Sequence, residues 1–191
     1  MTEHSLKHKT TISLFWSFID KFGQQVINLI SGIILMRTLA PSEYGLIGAL
    51  TVFIAFSSIL IDSGFTRSLL NRRSISDDEY STVFYFNLGF SVLLYLILFA
   101  LAPSISEIFH EPRIKNISRV LFISFIFNGT AIIQQTLLIK KADFKGISKI
   151  NLASLLIAAT VAITMALNGK GVWSLIMQTL VYSFFRSLLL W

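Results

Sequence analysis

The chain has 191 residues, of which 54% are hydrophobic and only 14% are charged, and its formal net charge is +6. Soluble domains carry about 25% charged residues, so this composition excludes an ordinary soluble protein and predicts a membrane protein with several spans. The basic residues then act as topology signals and lipid contacts rather than as a nucleic-acid surface. No cysteine is present, which excludes disulfide and thiolate chemistry.

The first predicted element, residues 12–36, is a helix of membrane-spanning length that is polar along one side. At about 100° per residue, its polar side chains fall within an arc of roughly 140°, opposite a wholly apolar arc. These side chains are Ser17, Asp20, Lys21, Gln24, Gln25, Asn28 and Ser31. The arc lines a water-filled cavity, forms hydrogen bonds to neighbouring helices, or belongs to a helix lying on the membrane surface. The last alternative is disfavoured because the apolar side is long enough to span the membrane. An ionised side chain in mid-membrane costs about 2.5–3.5 kcal/mol, so Asp20 and Lys21 favour the cavity.

Five further apolar segments follow, separated by short loops. We predict spans at about residues 45–66, 80–102, 117–139, 150–167 and 172–191. Pro103 is expected to end the third span, and residues 104–116 are expected to form a short amphipathic segment at the membrane surface. Six apolar helical segments predict an all-α membrane protein, a six-helix transmembrane bundle.

The distribution of lysine and arginine predicts the orientation of these spans. Nine basic residues precede the first span or follow the second and fourth, and five lie on the other side. The nine are Lys7, Lys9, Arg67, Arg72, Arg73, Lys140, Lys141, Lys145 and Lys149; the five are Arg37, Arg113, Lys115, Arg119 and Lys170. Because cytoplasmic loops carry the excess of positive charge, the N-terminus is expected in the cytoplasm.

Two charged residues in later spans are further candidates for function. Asp62 lies near the end of the second predicted span, where it either takes up a coupling ion or pairs with Arg67 or Lys21. Arg186 is in the sixth span, where it either faces a cavity or extends to the lipid headgroups. Lys21 has the corresponding alternative of a structural pair with Asp20 or Asp62. No sequence motif of an enzyme or a metal site is found.

Short motifs along nearly the whole chain resemble those of the Wzx-type polysaccharide flippases, a family of the multidrug/oligosaccharidyl-lipid/polysaccharide exporter superfamily. In chain order they are Arg37 to Gly45 (RTLAPSEYG), Asp62 to Phe65 (DSGF), Tyr80 to Phe84 (YSTVF), Glu111-Pro112, Lys140 to Phe144 (KKADF) and Gly169 to Ser174 (GKGVWS). Members of this family are similar in having two pseudo-symmetric helical bundles around a central cavity. The six predicted spans resemble the N-terminal half of such a MATE-like fold, so we expect the chain to be truncated at its C-terminus.

The resemblance implies that the protein flips an undecaprenyl-pyrophosphate-linked oligosaccharide across the bacterial inner membrane by alternating access. Lys21 and Arg186 would then contact the pyrophosphate, and Gln24, Gln25 and Asn28 would bind sugar hydroxyls. Asp20 and Asp62 would couple transport to a proton or a sodium ion. No other cofactor is expected, and the expected partners are membrane lipids and polysaccharide polymerase or assembly proteins.

Three alternatives remain open at this point. A multidrug cation exporter of the same superfamily would need an acidic and aromatic cavity, which the two cations Lys21 and Arg186 disfavour. A non-transporting membrane scaffold is favoured if the polar arc only joins helices. A membrane glycosyltransferase or polymerase is disfavoured because no predicted loop is long enough to hold a catalytic domain.

Overall fold

A computed structural model describes the backbone of residues 3–61 and 77–191 and the side chains of residues 12–60 and 80–191. Asp62, Arg67, Arg72 and Arg73 lie outside the described residues. Within these ranges the chain forms seven α-helices and no strand. They are α1 (Glu3–Thr38), α2 (Pro41–Ile61), α3 (Asp77–Ile108), α4 (Arg113–Leu121), α5 (Ser124–Lys140), α6 (Phe144–Leu167) and α7 (Trp173–Leu190).

Five segments of the described chain are long and apolar enough to cross a membrane: Pro41–Leu60, Tyr80–Ile108, Arg113–Lys140, Phe144–Leu167 and Trp173–Leu190. They correspond to predicted spans two to six, which confirms the prediction of an all-α membrane protein. The first predicted span lies within α1, a helix of 36 residues. Because of its polar side chains, α1 is less apolar than these five and is not among them.

Several helix ends differ from the sequence prediction, and the fourth predicted span is divided into α4 and α5. Helix α3 continues through Pro103 to Ile108 instead of ending at Ala102. The buried side chains of Ala102 and Ile105 explain the continuation, because the apolar core holds both sides of the proline. The expected surface segment 104–116 is thereby divided between the end of α3 and the start of α4. Helix α6 begins at Phe144 rather than near residue 150.

The helices pack in the spatial order α1, α6, α7, α5, α3, with α4 against α3 and α7, and α2 against α3 and α5. The main apolar core joins α2, α3, α4, α5 and α7. Its buried members are Leu46, Leu50, Leu94, Leu98, Ile105, Ile114, Ile117, Leu121, Phe122, Phe125, Val172 and Ile176. A second, smaller cluster joins Leu35 of α1, and Leu39 just after its end, to Ala162 and Ala166 of α6.

Contacts between helix ends define the two ends of the bundle. We call the end with Lys140, Lys141, Lys145 and Lys149 the basic end. Here the ammonium of Lys145 lies 5.4 Å from the ring centroid of Trp16 on α1, and Phe84 of α3 contacts the ring of Trp191. At the opposite end, the starts of α2, α4 and α7 meet.

Candidate functional site

Helix α1 places Asp20 against α6. Its buried face carries Asp20, Ser31 and Leu35. Gly23 lies on the same side, where an added Cβ would stand 2.8 Å from Cδ2 of Leu152, so the absence of a side chain lets the two helices approach closely. As a result, a carboxylate is buried between two helices, only 8% exposed, and it requires hydrogen-bond donors.

Asn151 of α6 supplies such a donor and links the carboxylate to a cation. Its amide Nδ2 donates to Asp20 Oδ1 at 3.3 Å and to Oδ2 at 3.2 Å, and Gln24 Nε2 donates to Asp20 Oδ1 at 2.8 Å. The amide oxygen Oδ1 of Asn151 accepts a hydrogen bond from Arg186 Nε at 3.1 Å. One amide therefore lies between a negative and a positive side chain and forms hydrogen bonds with both.

Arg186 of α7 is held by neutral amides. Besides Asn151, it contacts Gln135 of α5, whose Oε1 accepts a hydrogen bond from Nη2. Among the described residues no carboxylate lies within 4.0 Å of its guanidinium nitrogens. A guanidinium has five N–H donors, and three of those of Arg186 have no hydrogen-bond partner among the described residues. We call Asp20, Gln24, Gln135, Asn151 and Arg186 the polar cluster.

The polar cluster lies inside the bundle near the basic end. Arg186 precedes the end of α7 at Leu190 by four residues, which is about 6 Å at 1.5 Å per residue. Asn151 follows the start of α6 at Phe144 by seven residues, or about 10 Å. Instead of extending to the end of α7, the guanidinium is bonded to side chains of α5 and α6.

The polar arc predicted for α1 is divided in the structure. Asp20 and Gln24 belong to the polar cluster, whereas Lys21, Gln25 and Asn28 are exposed on the flank of the helix next to its packed face. No ion pair joins Lys21 to Asp20, and Asp62 lies outside the described residues. The structure thus brings together Asp20, Gln24 and Arg186 but leaves Lys21, Gln25 and Asn28 apart from them. Their roles in substrate binding stay predictions.

Asn151 and Gln135 are the residues of the cluster that sequence reasoning missed. If the helix began near residue 150, as predicted, the amide at position 151 would lie at the membrane surface, where a polar side chain is expected and indicates no function. Because α6 begins at Phe144, Asn151 lies about two turns inside the helix, where a buried amide needs partners. The signal was the cap: Asp143 Oδ1 accepts the backbone N–H of Gly146 at 2.9 Å, which is typical of a helix start.

A second polar arrangement joins three helix starts at the opposite end. Glu43 Oε2 accepts the backbone N–H of Val172 at 2.6 Å, and Glu43 Oε1 lies 3.3 Å from Nη1 of Arg113. Nε of Arg113 also donates to Oε1 of Glu111 at 2.9 Å. We call this group the Glu43 clasp. Hydrogen bonding to the Arg113 guanidinium lowers the pKa of Glu111.

The Glu43 clasp requires a close approach at Gly171. This residue has φ +54°, a conformation that favours glycine, and an added Cβ would lie 3.2 Å from Oε2 of Glu43. The clasp therefore brings together three of the sequence motifs that are far apart in the chain: RTLAPSEYG, Glu111-Pro112 and GKGVWS. Among the described residues, no group of three or more acidic or histidine side chains could hold a metal ion.

Comparison with known proteins places these features in a family. The family model described as "Polysaccharide biosynthesis protein" matches residues 34–191. The chain is 24% identical over 176 residues to the "Succinoglycan biosynthesis transport protein ExoT" of Rhizobium meliloti (strain 1021), covering 92% of this chain and 36% of that protein. It is 25% identical over 185 residues to the "Lipopolysaccharide biosynthesis protein WzxC" of Escherichia coli (strain K12), covering 97% and 38% respectively.

A third relative is also named a biosynthesis protein. The "Teichuronic acid biosynthesis protein TuaB" of Bacillus subtilis (strain 168) is 25% identical over 139 residues, which is 73% of this chain and 29% of the relative. No solved structure matches the chain. The chain spans between 29% and 38% of the length of these three curated relatives. The resemblance predicted from the short motifs is confirmed: the chain belongs to the polysaccharide biosynthesis protein family.

Proposed function

We propose that the protein takes part in moving a lipid-linked oligosaccharide across the bacterial inner membrane for polysaccharide assembly, as a transporter and not as an enzyme. Two findings support the proposal. Five helical segments of the described chain are long and apolar enough to cross a membrane, and one relative is named a succinoglycan biosynthesis transport protein. In this proposal the N-terminus and the basic end face the cytoplasm, because cytoplasmic segments carry the excess of lysine and arginine.

The observation that carries the proposal is the guanidinium of Arg186, which neutral amides hold inside the bundle. A carboxylate partner would neutralise the cation and use its donors, whereas Asn151 and Gln135 fix its position and leave charge and donors available. Arginine binds phosphate oxygens through two parallel hydrogen bonds. We assign Arg186 the pyrophosphate of the lipid-linked substrate as it enters from the basic end.

The exposed flank of α1 suits the sugar part of such a substrate. Gln25 and Asn28 each offer both a donor and an acceptor to hydroxyl groups, and Lys21 adds a second cation on the same flank. Gln24 belongs to this set in sequence but already donates to Asp20. The lipid tail would stay in the bilayer while the bundle opens alternately to either side.

Asp20 is the proposed coupling residue, with Asp62 as a further candidate outside the described residues. Protonation of Asp20, or binding of a sodium ion to it, would weaken its carboxylate as the acceptor of the hydrogen bonds from Asn151 Nδ2. Because the same amide accepts from Arg186, the charge state of Asp20 would affect how the guanidinium is held. This contact is a physical route from a coupling ion to a substrate-binding cation.

Replacement of Arg186 tests the proposal. In a strain whose native gene carries Arg186→Gln, we expect at least about tenfold less surface polysaccharide, because a charge-assisted hydrogen bond is worth about 1.5–3 kcal/mol. Arg186→Lys, which keeps the charge but loses the planar fork, should retain part of the export. Surface polysaccharide is quantified by immunoblot against the abundance of the protein in the membrane.

The matched control is Arg37→Gln, which removes an exposed cation at the opposite end of the bundle. It should leave surface polysaccharide unchanged. If Arg186→Gln, at unchanged membrane abundance, leaves export at the level of the parent strain, Arg186 has no part in substrate transfer.

A further inference from the structure

Helix α4 is strongly two-sided. One side, with Ile114, Ile117, Ser118 and Leu121, is buried against the main apolar core. The other side carries Lys115 and Asn116, both exposed, and Arg119, which is half-buried. Lys115 and Arg119 are four residues apart, so their side chains are neighbours on the surface of the helix. We call these two residues the α4 cation pair.

The α4 cation pair differs from the arginine at the start of the same helix. Arg113 is bonded to Glu111 and Glu43, so its charge is neutralised within the protein. Among the described residues no carboxylate lies within 4.0 Å of the basic nitrogens of Lys115 or Arg119. Two cations on one face of α4 therefore have no anionic partner among the described residues and can bind an external anion.

The surroundings of Arg119 also favour the binding of an external anion to its guanidinium. The guanidinium carbon lies 4.2 Å from the ring centroid of Phe99 on α3, and Nε is buried without a hydrogen-bond partner. Arg119 follows Arg113 by six residues, which is about 9 Å along α4 and into the segment that can cross a membrane. An arginine at such a depth without an anion is costly.

We propose that the α4 cation pair binds the phosphate group of a membrane amphiphile. Phe99 makes a cation–π contact with the guanidinium, and a guanidinium can donate two parallel N–H bonds to phosphate oxygens. Lys115, one turn nearer the start of the helix, neutralises the same group from its aqueous side. This site lies near the opposite end from the polar cluster and does not depend on the proposed function. The phosphate belongs either to an anionic phospholipid or to an undecaprenyl pyrophosphate.

The proposal is tested by binding measurements on the purified full chain in a neutral detergent. Phosphatidylglycerol, undecaprenyl pyrophosphate and zwitterionic phosphatidylcholine are titrated separately, and bound amphiphile is counted by native mass spectrometry. We expect phosphatidylglycerol or undecaprenyl pyrophosphate to bind more tightly than phosphatidylcholine. The double variant Lys115→Gln/Arg119→Gln should bind that amphiphile about tenfold or more weakly. Arg119→Lys should bind with intermediate affinity because it keeps the charge without the fork.

A charge-matched control separates a site from general attraction to a basic protein. Arg37→Gln/Lys170→Gln also removes two exposed cations from the same end of the bundle and should change affinity less than twofold. Selective binding of phosphatidylglycerol assigns the site to lipid headgroups, and selective binding of undecaprenyl pyrophosphate assigns it to a polyprenyl substrate.

Either of two results would overturn the proposal: neither anionic amphiphile is preferred over phosphatidylcholine, or both double variants weaken binding equally. Circular dichroism and size-exclusion profiles establish that each variant is folded. Because this experiment measures binding in purified protein, its outcome is separate from that of the export assay on Arg186.

Discussion

At the scale of single residues, the amide of Asn151 can donate and accept hydrogen bonds at the same time, which a carboxylate, an ammonium or a guanidinium cannot. It donates to Asp20 and accepts from Arg186 through opposite ends of one group. A carboxylate in its place would repel Asp20 and pair directly with Arg186, and an apolar side chain would leave both charges without this partner. Leaving a buried charged group without its hydrogen bond costs about 1–3 kcal/mol or more. The amide thus keeps a cation and an anion near each other without a direct ion pair.

Replacements of Glu43 should show which of its two contacts stabilises the fold. Glu43→Ala removes the acceptor of the Val172 N–H, a charge-assisted bond worth about 1.5–3 kcal/mol, together with the Arg113 pair. Glu43→Gln keeps an uncharged acceptor for the Val172 N–H and loses the ion pair, which is worth about 0–1 kcal/mol because Arg113 is 52% exposed. We therefore expect Glu43→Ala to be clearly less stable than Glu43→Gln, as measured by unfolding in detergent. Equal losses would mean that the ion pair, and not the bond to Val172, stabilises this end.

Single charged residues were easier to predict from sequence than their partners. Asp20 and Arg186 stand out because charge is rare in apolar segments. The contact between them runs through Asn151 of α6, however, and sequence spacing does not say which helices are neighbours. Gln135 is one of several polar residues of its span, and nothing in the sequence distinguishes it from Asn128. The Glu43 clasp likewise joins residues separated by 70 and 129 positions.

At the scale of helices, the apolar core decides where the elements end. Pro103 was expected to end α3, because proline removes a backbone hydrogen bond. Membrane helices tolerate that loss when neighbouring elements hold the chain, and here Ala102 and Ile105 are both buried. Hydropathy located the five apolar segments correctly, but it could not place an end that depends on which side chains are packed.

The contact between α3 and α5 depends on a glycine. A Cβ at Gly129 of α5 would lie 2.2 Å from Oγ and 2.8 Å from Cβ of Ser91 on α3. Gly129→Ala should therefore force the helices apart and destabilise the bundle by about 1–3 kcal/mol. The loss is measured as a change in the midpoint of thermal unfolding in detergent.

Two variants make the Gly129 prediction specific. Gly89→Ala adds the same methyl group on α3, where nothing lies within 4 Å of it, and should be neutral or stabilising because alanine favours helix. Ser91→Gly removes the atoms that the new methyl group would meet, so Gly129→Ala/Ser91→Gly should recover stability relative to Gly129→Ala. No recovery would mean that the cost at Gly129 does not arise at this helix crossing.

At the scale of the whole molecule, the exposed surface of α1 differs from that of an ordinary membrane helix because it is polar on one flank and apolar beyond it. One flank exposes Lys21, Gln25 and Asn28, and the side beyond it exposes Phe18, Phe22, Leu29, Ile30 and Ile33. Composition and hydropathy predicted the helical membrane fold, and the motifs predicted the family. The division of the polar arc into a packed part and an exposed part could not be predicted, because it depends on where α6 lies against α1.

The two sides of α1 should meet different surroundings in the membrane. Asn28 and Ile30 are both exposed and two residues apart, so they lie at nearly the same depth but about 200° apart around the helix. The chain has no cysteine, so Asn28→Cys and Ile30→Cys each introduce a single thiol. Because only the thiolate reacts and an apolar environment suppresses it, a charged maleimide in intact cells should label position 28 at least about tenfold faster than position 30.

Equal labelling rates in the folded protein would refute a water-filled cavity along this flank, and the polar residues would then serve contacts between helices. Faster labelling at position 28 that is slowed by added undecaprenyl pyrophosphate would assign the flank to the transport path.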